Sequence, residues 1–163
     1  MWYFDGHLDL AMNALAYERD QAAEVSALRQ REAGGVADGR GTAGVSLPEL
    51  AKGDVRLGTA TLLARAKPWI DPARTIRRDD DDWPAQSMAH AMAHAHLAYY
   101  RLLEAQGHLR ILRTAGDLQE ASTAPAKVGA IITMEGADPI IEPEQLHGWH
   151  AAGLRTLMLA HFG

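Results

Sequence analysis

The stretch Val128-Gly129-Ala130-Ile131-Ile132-Thr133-Met134-Glu135-Gly136 decides the fold. A short, continuous apolar run of this kind is expected of a strand in a parallel sheet covered on both faces. The run ends in a carboxylate followed by glycine. An α/β barrel places its chemistry at the C-terminal ends of its strands, which makes Glu135 a candidate functional group. The alternative is a glutamate that simply leaves the strand for solvent.

Downstream, Pro143 to Ala152 reads as a helix with Gly153 as its stop, and its His147 and His150 are expected to face solvent. Leu154 to Ala160 reads as a further strand, ending at His161. Strand, helix, strand makes a βαβ unit, whose crossover should be right-handed.

Upstream, Leu109 to Arg113 reads as a short strand, and Thr114-Ala115-Gly116-Asp117-Leu118 as the start of a capped helix. Gln86 to Gln106 is the clearest helix: alanine, leucine, methionine and histidine recur without a breaker, and Gly107 supplies the stop. His90 and His94 are four residues apart and share a helix face. That spacing can hold a metal, but Ala91 stands where a His-Glu-x-x-His helix carries its glutamate. His90 and His94 are therefore read as surface or interface histidines.

Residues 67–84 read as a loop with three prolines and the run Arg77-Arg78-Asp79-Asp80-Asp81-Asp82. Adjacent aspartates diverge, so the run reads as a solvated turn rather than a cation site. Residues 57–64 read as a second buried strand. Ser46-Leu47-Pro48-Glu49-Leu50 reads as a helix start, with Ser46 as N-cap and Glu49 as its capping-box partner. Gly34-Gly35, Gly39 and Gly41 mark a flexible connection without a phosphate-loop pattern. Residues 14–32 read as one helix.

Near the start, Phe4-Asp5-Gly6-His7-Leu8-Asp9-Leu10 lies at the end of a first strand, Trp2 to Leu10. Side chains two residues apart on a strand point to the same side, so His7 and Asp9 project together. An imidazole and a carboxylate suit zinc or a similar divalent ion. The bland alternative is a strand-end histidine beside a capping aspartate.

Composition sets the outer bounds. The chain has 163 residues, 47% hydrophobic and 23% charged, enough for one domain with a real core. A net charge of −5 gives no electrostatic reason to expect nucleic acid. Without cysteine there are no disulfides, thiolate metal sites or cysteine nucleophiles. The N-terminus lacks the basic region and apolar run of a secretory signal, and no stretch is apolar enough to cross a membrane. The expected location is the cytoplasm, with no membrane partner.

Taken together, the motifs resemble the membrane (renal) dipeptidase family, metallopeptidases of the amidohydrolase superfamily. The residues that carry the resemblance are Asp5-Gly6-His7-Leu8-Asp9-Leu10, Met134-Glu135-Gly136-Ala137 and Gly153-Leu154-Arg155-Thr156-Leu157-Met158-Leu159-Ala160-His161, with Leu47-Pro48-Glu49-Leu50 as a further match. They fit the family's Asp-Gly-His-x-Asp opening, its strand ending in Glu-Gly and its Gly-x-Arg-x-x-x-Leu-x-His stretch, in order and spacing. The resemblance implies an α/β fold: the N-terminal half of a (β/α)8 TIM-type barrel, with about four parallel strands and outer helices.

It also implies function. His7, Asp9 and Glu135 would be metal ligands, with Glu135 bridging two Zn2+ ions, although other divalent metals suit the same donors. His161 would bind substrate and steady the oxyanion while a metal-bridging hydroxide attacks the peptide bond of a dipeptide. The family's barrel continues with strands that supply two more histidine ligands and a proton-handling aspartate, and a whole barrel needs roughly 250 residues. Residues 1–163 are thus expected to form a single, truncated domain that is inactive by itself. A half barrel exposes strand edges and an apolar face, so self-association into a homo-oligomer is also expected. Two other readings stay open: a non-catalytic α/β binding module, or another amidohydrolase-type enzyme. The latter usually opens with His-x-His, which Leu8-Asp9 after His7 does not match.

Overall fold

The run from residue 128 is apolar because its strand lies in the middle of the sheet. In a computed structural model of the chain, which describes residues 1–35, 41–67, 82–123 and 127–161, it forms the strand β6, Val128–Glu135. The strands before it are β1 (Tyr3–Leu8), β2 (Val55–Leu63), β3 (Arg65–Ala66), β4 (Asp82–Trp83) and β5 (Leu109–Ile111), and β7 (Leu154–Leu157) follows. The helices are α1 (Leu10–Tyr17), α2 (Val25–Glu32), α3 (Leu47–Lys52), α4 (Gln86–Ala105), α5 (Ala115–Thr123) and α6 (Gln145–Ala152).

The main sheet is wholly parallel, in the order β1-β2-β6. The far edge of β6 is shared: β5 pairs with Val128 to Ala130, and β7 takes over from Ile132 to Met134. The four main strands expected, β1, β2, β6 and β7, are thus joined by the short β5, where the sequence also suggested a strand. This is the α/β architecture expected of part of a (β/α)8-type barrel. Parallel pairing sends the C-terminal ends of β1, β2, β6 and β7 to one edge of the sheet.

Helix α4 packs across this sheet. Its buried residues, Ala89, Ala93, His96, Leu97, Tyr100 and Leu103, follow helical periodicity and meet Leu62, Ile132 and Met134 of the central strands. Gly58 marks a close approach: a Cβ there would meet the Leu8 side chain, so Leu8 of β1 packs closely on β2 at a position that has no side chain. The outer edge is less covered, and Tyr3 and Phe4 of β1 are both about half exposed. Among the described residues no helix is long and apolar enough to cross a membrane.

Several expectations need correction. Residues 14–32 are not one helix. α1 stops at Glu18, which adopts a left-handed φ of 58°, and α2 begins at Val25. The break is fixed by Arg19, buried in an ion pair with Glu32 at 2.6 Å and donating to Asn13 Oδ1 at 2.6 Å. Ser46 sits at the N-cap of α3, but its hydroxyl is buried without a hydrogen-bond partner, so the capping box does not form. The strand expected over Leu154 to Ala160 ends at Leu157. Thr114 and Asp117 do exchange the reciprocal bonds of a cap, at 2.8 and 3.1 Å. Most of the aspartate run and of the glycine-rich connection lies outside the described residues. The side chain of Asp82, the last of that run, is nearly buried, ion-paired with Arg65 at 2.7 Å and with Lys67 at 2.6 Å.

Candidate metal centre

His7, Asp9, Glu135 and His161 meet at the strand-exit edge, although up to 154 positions of sequence separate them. At β1 the ladder is irregular: Asp5 pairs with Gly58 and Leu8 with Ala60, so β1 spends one residue more than β2 over this interval. Such a bulge re-aims side chains. The main-chain N–H of His7 donates to Asp5 Oδ1 at 3.0 Å, and the Thr59 hydroxyl donates to Gly6 O. The result turns His7 Nε2 toward Asp9 Oδ2, at 3.0 Å. The two prongs expected from the His-x-Asp spacing do project together, but through a bulge and the first turn of α1 rather than through simple strand alternation.

Glu135 closes the group from β6. Its Oε2 lies 3.3 Å from His7 Nε2, and its Oε1 lies 2.9 Å from His161 Nδ1. The residue is 4% exposed. Gly136, directly after it, has a φ of +88°, a conformation that favours glycine and turns the chain off the strand. Burial pushes the Glu135 carboxyl upward from its ordinary range, and the negative charge of Asp9 adds to this, while His7, His161 and Arg65 pull it back.

One ligand atom from each of His7, Asp9 and Glu135 lies within 4.8 Å of the others, the one such convergence of three histidine or carboxylate groups among the described residues. The donor set fits a divalent cation. Ligands ~2.0–2.2 Å from a tetrahedral ion lie roughly 3.3–3.6 Å apart, close to the separations here. Oε2 of Glu135 is buried and receives no hydrogen bond despite its nearness to His7, a costly state for a carboxylate oxygen unless a cation meets it. Two carboxylates beside one imidazole also repel each other without a positive charge between them.

The other histidines behave differently. His90 Nδ1 donates to Pro139 O at 2.7 Å, and His94 stacks on Trp149, with ring centroids 4.1 Å apart. Partial burial holds His94 below its ordinary pKa, and His90 and Arg101 add to this. His147 and His150 are exposed, as expected. His96 lies inside the fold. It is fully buried, neither ring nitrogen has a hydrogen-bond partner, and burial lowers its pKa to about 4. The sequence carried this signal, because 96 falls on the stripe 89, 93, 96, 100, 103.

Two residues at the site had no sequence signal. The Thr61 hydroxyl donates to Asp9 Oδ1, and the buried Tyr100 hydroxyl binds the main chain on either side of it.

Residues 1–163 match the family of membrane dipeptidase, peptidase family M19. No curated protein matches. Among solved structures, the metallopeptidase dipeptidase AC of family M19 superposes with a TM-score of 0.67 at 25% identity, over 98% of this chain and 43% of its own. A metallopeptidase from Rhodobacter sphaeroides, liganded with a phosphinate mimic of the dipeptide L-Ala-D-Ala, gives 0.65 at 22% identity, over 98% of this chain and 45% of its own. The chain therefore spans less than half the length of these structures.

Proposed function

The chain belongs to the membrane dipeptidase family, peptidase family M19, and from that premise we propose that residues 1–163 supply part of a zinc-dependent dipeptidase centre. His7, Asp9 and Glu135 are its metal ligands, and Glu135 and His161 its catalytic groups, with His161 also binding substrate. The observation that carries this reading is the convergence of His7 Nε2 and Asp9 Oδ2 on a buried Glu135 oxygen that no hydrogen bond satisfies.

A divalent cation bound there supplies Lewis acidity and brings the pKa of water toward neutrality. The chain's own groups do the rest. Asp9 and Glu135 provide negative charge in a partly dry setting, where it attracts a cation more strongly than in water. Oε1 of Glu135 holds the His161 imidazole at the strand exits. From there His161 donates to a peptide carbonyl oxygen as it gains charge, the stage at which a donor lowers the barrier most. A dipeptide-like substrate follows from the family and from the ligand of the Rhodobacter sphaeroides relative. The site is cytoplasmic in this reading.

Three ligand candidates are fewer than two metal ions require, so residues 1–163 by themselves are proposed to take up metal and hydrolyse nothing. Hydrolysis of L-Ala-D-Ala tests this with two preparations, the protein purified from its native cell and residues 1–163 alone. The native protein should cleave it in a metal-dependent manner, and residues 1–163 should not. Turnover by residues 1–163, lost in Glu135→Gln, contradicts the partial-site reading. Absence of turnover in both contradicts the dipeptidase reading.

A further inference from the structure

Asp9 occupies the N-cap position of α1, where an aspartate ordinarily accepts a hydrogen bond from the N–H of the second or third helical residue. Here it makes no such bond. Its carboxylate is turned the other way: Oδ1 accepts from the Thr61 hydroxyl, and Oδ2 faces His7. The orphan N–H at the second helical position, Ala11, is instead satisfied by the hydroxyl of Tyr100, at 3.2 Å. That hydroxyl has one proton, which lies between Thr61 O at 3.1 Å and Leu8 O at 3.3 Å. Tyr100 is fully buried and reaches these groups from α4, 89 positions away from Ala11 in sequence.

We infer that Thr61 and Tyr100 are positioning residues for Asp9: Tyr100 takes over the capping of α1, and Thr61 fixes the freed carboxylate so that Oδ2 faces the metal position. The inference rests on the metal-centre reading above. Each partner has a distinct task. Without the Tyr100 hydroxyl, the Ala11 N–H needs another acceptor, and the Asp9 carboxylate is the nearest one a helix N-terminus ordinarily uses. Without the Thr61 hydroxyl, Oδ1 loses its fixed donor and the carboxylate is free to rotate. Outer groups that orient a metal ligand typically contribute about 10–100-fold to metal affinity. Thr61 is a β-branched residue inside β2, so valine keeps its shape and strand preference and removes only the hydroxyl.

The test is binding of Co2+ alone to the purified protein, read as affinity by competition with a chelator and as the visible spectrum of the bound ion. Thr61→Val should weaken binding about 10-fold or more and alter the spectrum, and Thr61→Ser should restore both. Tyr100→Phe should weaken binding in the same direction, and in the double variant the two losses should not add, because both act through Asp9. If Thr61→Val fails to fold, Thr61→Ala against Thr61→Ser makes the same comparison. Wild-type protein that takes up no cobalt overturns the metal-centre reading and this inference with it. Wild-type protein that binds cobalt through Asp9, as shown by its loss in Asp9→Asn, while Thr61→Val binds as tightly with an unchanged spectrum, overturns this inference alone.

Discussion

Histidines gather in two regions of this molecule, and the two differ in what surrounds them. At the strand exits, His7 and His161 stand beside Asp9 and a buried Glu135. On α4, His90, His94 and His96 stand beside Trp149, a backbone carbonyl and apolar core. The helix has the more obvious metal spacing, at i and i+4, yet His90 Nδ1 is held by a hydrogen bond and the His94 ring by a stack, and among the described residues no carboxylate joins them in a ligand cluster. The exits have no local spacing beyond His-x-Asp, yet three strands of one parallel sheet deliver four ionisable groups to one place. The convergence of candidate ligands here follows topology more than sequence spacing.

The largest effect expected from this contrast concerns His96. Its folded pKa of about 4 lies below the ordinary 6.5 because burial disfavours the imidazolium. The stability it gives as a neutral group is complete above 6.5 and is lost as pH falls toward 4. The size is about 3 kcal/mol, from the linkage between pKa shift and stability. Urea unfolding at pH 7 and pH 4.5 should show that loss in the wild type, and His96→Leu should flatten it across this window. An unchanged slope in His96→Leu would mean that burial of His96 is not what makes stability depend on pH in this window.

A smaller effect is expected at the exits. The Glu135 carboxyl is pushed upward, chiefly by burial, so its charged form works against the metal-free fold above the raised pKa. Glu135→Gln should stabilise the metal-free protein at neutral pH, read as a higher midpoint of thermal unfolding in chelator. The same variant should lose the stabilisation that zinc gives the wild type. A drop in metal-free stability would mean that the carboxylate is structural. The smallest effect sharpens the comparison from the other side: His90→Ala with His94→Ala should leave zinc affinity unchanged within about twofold, or ~0.4 kcal/mol.

Much of this was legible in the sequence, for identifiable reasons. The apolar run before Glu135 and the breaker-free run over 86–106 each express a local rule that the tertiary fold does not override, whereas the His-x-Asp pair comes together through a bulge that strand alternation does not describe. The rest depended on distant partners. The break between α1 and α2 falls in a segment of good helix formers, and it is held open by Arg19 reaching Glu32. The roles of Thr61 and Tyr100 arise only where β2 and α4 close on the start of α1, and no spacing rule links positions 9, 61 and 100. His96 lay within reach of helical periodicity but reads as polar by residue type.

A crystal structure of the protein grown with zinc, with the ion located by its anomalous scattering, decides between the two histidine regions. An anomalous peak is expected about 2 Å from His7 Nε2 and from one carboxylate oxygen each of Asp9 and Glu135. A peak held by His90 and His94, with the strand exits empty of metal, would contradict this expectation.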